Sequence, residues 1–171
     1  MHVQAATTAT FSHEGTVFAS TTENGLDYEL YQLKKNIFGR WPKTIPAMPS
    51  AVAKLVTTGK TPLINLSQST LDNYMAMRFD GFISIPSDGA YMFALYSDDG
   101  SKMWIDGNLI INNDGIHSLK GKSSGWLNLT QGLHTIKVEY FEINGSQDLK
   151  VYWKSSNFAA QEVPTAVLYP K

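Results

Sequence analysis

From Asp72 onward, apolar residues recur at every second position, and clusters of Asp, Asn, Gly and Pro cut this pattern every roughly 8–12 residues. Side chains of an extended chain alternate between two faces, so each stretch presents one apolar face and one polar face. Short alternating segments bounded by turn formers at this spacing read as strands. The chain must bury its apolar faces against one another as short antiparallel strands. The expected fold class is therefore all-β, an antiparallel two-sheet β-sandwich.

Individual segments follow from the same rule. Met75, Met77, Phe79, Gly81, Ile83 and Ile85 can share one face, and Pro86-Ser87-Asp88-Gly89 ends their strand in a turn. Tyr91–Ser97 is a strongly apolar strand broken by Asp98-Asp99-Gly100-Ser101. Lys102–Ile105 and Leu109–Ile111 flank Asp106-Gly107-Asn108, a hairpin signal. Asn112–Gly115 reads as a turn, Trp126–Leu129 as a short strand and Thr130-Gln131-Gly132 as a turn. Ile136, Val138 and Tyr140 alternate, as do Leu149, Val151 and Trp153 beyond the Asn144-Gly145 turn.

The first part of the chain is less patterned. Leu26–Phe38 suits either a strand or a short helix, and Ala51–Leu55 suits one helical turn. Trp41–Pro49 carries three prolines and reads as an ordered loop, with Thr57–Ser69 rich in turns. Residues 1–23 are small and polar. They are expected to be a linker or the tail of a preceding domain, with one candidate strand at Thr16–Ala19. Residues 24–157 are expected to form the sandwich domain, and 158–171 an irregular C-terminal tail.

Composition removes several functions. The 171 residues carry 14 basic and 15 acidic side chains, so there is no basic surplus to neutralise a nucleic-acid backbone. The absence of cysteine excludes disulfides, thiolate zinc sites and a cysteine nucleophile. No apolar run approaches the roughly 18 residues of a membrane span. The opening residues lack a charged stretch followed by an apolar one, so a mature protein or a fragment of a larger one is expected. His2, His13, His117 and His134 fall in no metal-binding spacing, and no nucleophile elbow or phosphate-binding glycine loop occurs. A free-standing enzyme is therefore not the expected reading. The N-x-[ST] sequons at Asn65, Asn128 and Asn144 carry little weight, because chance alone gives about as many.

The chemistry concentrates at Ser97-Asp98-Asp99-Gly100. Adjacent carboxylates on an extended trans chain point to opposite faces. They can converge on one cation only where the backbone turns sharply or their peptide is cis. Hard oxygen ligands of this kind suit Ca²⁺, whereas a surface turn rich in Asp and Gly is the simpler alternative. Two neighbouring aspartates are a poor glycosidase pair, because the catalytic carboxyls must flank a sugar bond about 5–9.5 Å apart. No EF-hand loop fits either, since Gly100 stands where a ligand belongs. Among the tryptophans, Trp153 belongs with the core and Trp104 points away from Met103 and Ile105, which makes it the candidate exposed sugar platform. His117 follows an Asp-Gly turn and reads as a surface-loop residue; with Trp104 it is a candidate ligand contact. His134, at the start of a strand, reads as structural.

Over Gly25 to about Asn157 the chain resembles the protective-antigen fourteen-kilodalton domain family, found in toxins, yeast flocculins, bacterial adhesins and glycoside hydrolases. The resemblance is carried by Ala76–Ile83, Ile85-Pro86, Gly89–Phe93, Ser97–Ser101, Trp104–Gly107, Asn113–His117, Gly132–His134 and Val138–Glu142. It implies a lectin-like β-sandwich. In sugar-binding members it implies a Ca²⁺ held by two consecutive aspartates joined through a cis peptide, with sugar hydroxyls completing the ligand set. Asp98 and Asp99 match those positions. The later loop that supplies further ligands corresponds to Phe141–Gln147, where Glu142 or Asn144 offers an oxygen. The expected function is a non-catalytic carbohydrate-binding module of an exported glycoside hydrolase or adhesin. Its partners would be a glycan and the catalytic domain of the same parent chain, and its location extracellular, at the cell surface or periplasmic. The alternative is an interdomain spacer with no ligand.

Overall fold

A computed structural model describes residues 23–171; the candidate strand at Thr16–Ala19 lies outside them. Eleven strands follow in order: β1 Leu26–Leu33, β2 Ala53–Thr61, β3 Met75–Ile85, β4 Gly89–Asp98, β5 Ser101–Ile105 and β6 Asn108–Asn113, then β7 Lys120–Leu129, β8 Gly132–Glu142, β9 Asp148–Ser155, β10 Phe158–Glu162 and β11 Leu168–Tyr169. They form two antiparallel sheets. The larger runs β2-β1-β3-β8-β5-β6, and the smaller β10-β9-β4-β7. The all-β sandwich expected from the turn spacing is the observed fold.

Strand β3 organises the larger sheet. Its face of Met75, Met77, Phe79, Ile83 and Ile85 is buried completely or nearly so. It pairs with β8 along its whole length, from Met75↔Glu142 to Ile85↔Gly132. Its other edge is shared: β1 covers Met75–Asp80 and β11 covers Phe82 and Ile83. Opposite this face stand Tyr91, Phe93 and Leu95 of β4 and Leu149, Val151 and Trp153 of β9, and together they form the core. A second, smaller core lies under the β1–β2 loop, where Ile45 and Met48 pack with Tyr31, Leu33, Phe141 and Ile143. The proline-rich stretch is thus an ordered loop, as its composition suggests.

Several segments depart from the expectation. Ala51–Leu55 is not a helical turn, because β2 begins at Ala53. This edge strand is exposed at most interior positions and pairs only with β1, so nothing demands an alternating face. Strand β7 extends upstream of Trp126–Leu129 for the same reason. Leu26–Phe38 resolves into β1 and a turn, with no helix. Asn113, assigned to a turn, ends β6 with a buried side chain bonded to Ser97 Oγ and the Lys120 carbonyl. The stretch after Ser155, read as irregular, holds β10 and β11, which are too short to show a period. Leu168 is nonetheless fully buried.

Gly81 explains how β11 fits. A Cβ built there would meet the Tyr169 carbonyl oxygen at 2.3 Å and Leu26 Cδ2 at 2.5 Å. Gly81→Ala is therefore expected to lower the unfolding free energy by about 1–3 kcal/mol in denaturant titration, the usual cost of overpacking. An unchanged midpoint would mean that β11 does not press on β3.

Candidate functional site

One of the crossings between the sheets carries the adjacent aspartates. Strand β4 of the smaller sheet ends at Asp98, β5 of the larger begins at Ser101, and Asp99-Gly100 crosses between them. The Asp98–Asp99 peptide is cis. Strand β8 runs beside β5 and ends at Glu142. The chain thereby brings Asp98, Asp99 and Glu142 together, each offering a carboxylate oxygen within 4.8 Å of the others. Gly100 permits the tight crossing, since a Cβ there would lie 2.5 Å from the Phe141 ring and 2.7 Å from the Gly115 nitrogen.

Hydrogen bonds fix three of the six carboxylate oxygens. Asp99 Oδ1 accepts the His117 N–H at 2.9 Å, and Oδ2 accepts the Ile143 N–H at 3.0 Å. Glu142 Oε2 accepts the Asp99 N–H at 2.9 Å. The Tyr140 hydroxyl donates to the Asp98 carbonyl at 2.5 Å. Nearby, Asn113 Nδ2 donates to Ser97 Oγ, which lies 2.8 Å from Ser101 Oγ, so this buried hydroxyl pair is satisfied internally. Glu142 Oε1 is buried and has no partner, and the same is true of the nearby Asn113 Oδ1. The Asp98 carboxylate, half-buried, accepts no hydrogen bond from the described residues.

No described lysine or arginine forms an ion pair with any of the three carboxylates. The electrostatic consequence falls on Glu142. Burial, and after it the negative charge of Asp99, push its carboxyl up to about 7, although the Asp99 N–H bond opposes them. Burial, reinforced by Glu142, likewise raises the Tyr140 hydroxyl above its ordinary range. Three hard oxygen donors, an orphaned buried oxygen and no competing cation form a set that fits a hard divalent ion. A buried carboxylate without a partner is costly, and a bound cation would remove that cost.

The other candidates separate from this cluster. Asn144 is exposed in the β8–β9 turn, one residue past the Ile143 N–H that binds Asp99. His117 reaches the site through its main chain, while its ring nitrogens lie 2.9 Å from the carbonyl oxygens of Ser118 and Asn113. Trp104 does turn away from the core, but the Lys137 ammonium sits 3.8 Å from its ring centre. The tryptophan left more than half exposed is Trp126. His134 is structural, held between Asp106 and the Thr130 carbonyl. Sequence alone marks Tyr140 and Asn113 only through the need of a buried tyrosine or asparagine for a polar partner.

A groove of about 370 Å³ opens beside the cluster, between the Asn65–Ser67 turn and the start of β9. It includes Asp148, the cross-strand partner of Asp98. A larger groove of about 600 Å³ lies along the smaller sheet, lined by Met92, Tyr96, Tyr152 and Lys154 among others. Its lining also includes the Asp148–Lys150 ion pair, so the one carboxylate there has a cation beside it, unlike those at Asp98.

The PA14 domain profile matches residues 64–165. Protective antigen of Bacillus anthracis is 28% identical over 113 residues, 60% of this chain and 14% of that protein. The anti-sigma-I factor RsgI3 of Acetivibrio thermocellus is 27% identical over 99 residues, 58% of this chain and 15% of that protein. The chain thus spans about one seventh of the length of either relative. Among solved structures, a PA14 sugar-binding domain from an RTX adhesin superposes with a TM-score of 0.72 at 14% identity, over 88% of this chain and all of that one. It shares the fold.

The unpaired Glu142 predicts a pH signature. Its folded-state pKa lies above its ordinary value of 4.5, so the folded protein holds a proton that the unfolded chain releases. Stability in a chelator should therefore fall as pH rises from about 4.5 through about 7, by on the order of 1–3 kcal/mol. Thermal melts of wild type and Glu142→Gln should diverge across that interval, with the variant gaining at the upper end. Parallel curves would show that Glu142 is not charged at a cost.

Proposed function

The chain belongs to the PA14 domain family, and from that premise we propose that it is a non-catalytic carbohydrate-binding module that uses calcium. One observation carries the reading: Asp98, Asp99 and Glu142 converge with an orphaned oxygen and no neutralising side chain. Asp99 and Glu142 would hold the ion from the buried side, and the half-buried Asp98 from the open side. Asn144, exposed on the adjoining turn, would add an oxygen once that turn closes in. When bound, calcium supplies open coordination positions that accept vicinal sugar hydroxyls. His117 contributes through its main chain by fixing Asp99. The groove bounded by Asn65–Ser67 and Asp148 is where neighbouring loops would select the sugar. Trp104, shielded by Lys137, is left out of the proposed contact.

The sugar-binding description of the adhesin domain supports the substrate class. A site with few protein ligands suits the millimolar calcium found outside cells, so an exported parent protein is proposed, either an adhesin or a glycoside hydrolase whose catalysis lies in another domain. A second reading rests on Asp99 alone. Its two oxygens each accept a main-chain N–H, which is what a purely structural aspartate in a ligand-free spacer would do.

Glycan-array binding in calcium, in chelator and with Asp98→Ala separates the two. A binding module should lose at least about tenfold in affinity on chelation and in the variant, with an unchanged circular dichroism spectrum. Undiminished binding in chelator would overturn the calcium mechanism. An absence of glycan binding by the calcium-loaded protein would establish the spacer.

A further inference from the structure

The largest apolar exposure in the described chain lies on the β1–β2 loop. Ile37 is 93% and Phe38 76% exposed. They sit on a well-formed turn. The Asn36 N–H donates to the Arg40 carbonyl, and Asn36 Oδ1 accepts the N–H groups of Phe38 and Arg40 at 2.9 and 3.1 Å. Gly39, with φ of +72°, closes the tip. Behind it Trp41 stacks on Tyr74 with ring centres 4.0 Å apart. Further along the same loop, Ile45 and Met48 anchor in the second core, and the Ile45 N–H donates to Asp114. The two hydrophobic side chains are therefore held out on a fixed base.

Charge surrounds them with one sign. Lys34, Lys35, Arg40 and Lys43 are all exposed and form no ion pair with a described residue. From Leu30 to Leu71 the sequence has six basic residues and no acidic one, while the rest has eight against 15. Four of these six, Lys34, Lys35, Arg40 and Lys43, flank the apolar tip, while Lys54 and Lys60 lie on β2.

We propose that this tip docks on an anionic lipid bilayer. Ile37 and Phe38 would enter the boundary between headgroups and acyl chains, and the four cations would reach back to the lipid phosphates. Shape favours a bilayer over a protein partner. Two side chains on a convex turn fall far short of the about 800 Å² per partner that a stable protein interface buries. A fluid lipid surface, by contrast, accepts a point contact, and the cation ring complements its charge.

The test uses co-sedimentation of the full chain with vesicles of phosphatidylglycerol mixed with phosphatidylcholine, and with phosphatidylcholine alone. Chelator is present throughout, so the carboxylate site plays no part. Binding should require phosphatidylglycerol, weaken at least about tenfold in about 0.5 M salt, and weaken similarly in Ile37→Ser/Phe38→Ser and in Lys34→Glu/Lys35→Glu. These exposed positions leave the core intact. A Phe38→Trp variant should show blue-shifted emission on mixing with the anionic vesicles. No binding to those vesicles, binding undiminished in the double serine variant, or an unshifted Phe38→Trp spectrum would each overturn the proposal. A protein partner would then be the remaining source of the exposure.

Discussion

The Asp99 carboxylate holds one end of the sandwich together. One oxygen binds the main chain at His117 and the other at Ile143, while its own N–H is bound by Glu142. The corner between the sheets, the β6–β7 loop and the end of β8 therefore meet at one side chain. The same arrangement buries Glu142 beside two other carboxylates, and none of the hydrogen bonds satisfies Glu142 Oε1. Hydrogen bonds that serve the fold have thus assembled a site with more negative charge than its surroundings neutralise. The structural and metal-binding readings of Asp99 share these bonds. They differ in whether the leftover oxygen is satisfied by a cation.

The sandwich determines where such a site can lie. A strand cannot turn its apolar face outward, so a chain leaving one sheet for the other must do so beyond the last core residue. Leu95 and Met103 are those residues here, and the polar segment between them carries both aspartates. Its position at an end of the sandwich leaves the adjoining loops free to vary without disturbing the core.

The sequence revealed strands in proportion to their burial. Strands β3, β4, β8 and β9 face the core and show their period of two. Edge strands β2 and β7 pair on one side with little apolar demand and left almost no pattern. Strands β10 and β11 are too short to have one. At the site, Asp98 and Asp99 stood out as adjacent carboxylates after an apolar run. Glu142 was legible only as one of two possible oxygens, yet the period of β8 favours it. It lies two residues beyond Tyr140 on the row of Ile136 and Val138, which is the core face, whereas Asn144 falls after the strand has ended. The orientation of Trp104 followed from alternation, but its cover by Lys137 depends on a cross-strand neighbour that local sequence does not identify.

Everything proposed for this site depends on Asp98, Asp99 and Glu142 holding a divalent cation. The most direct test is a crystal structure grown in millimolar calcium, with anomalous data collected to locate the ion. The account predicts an anomalous peak in coordination contact with all three carboxylates, at about 2.3–2.6 Å from their oxygens, including Glu142 Oε1. A density map with no such peak, and with Glu142 Oε1 bonded to an ordered water, would contradict it. The corner would then be a structural clamp only.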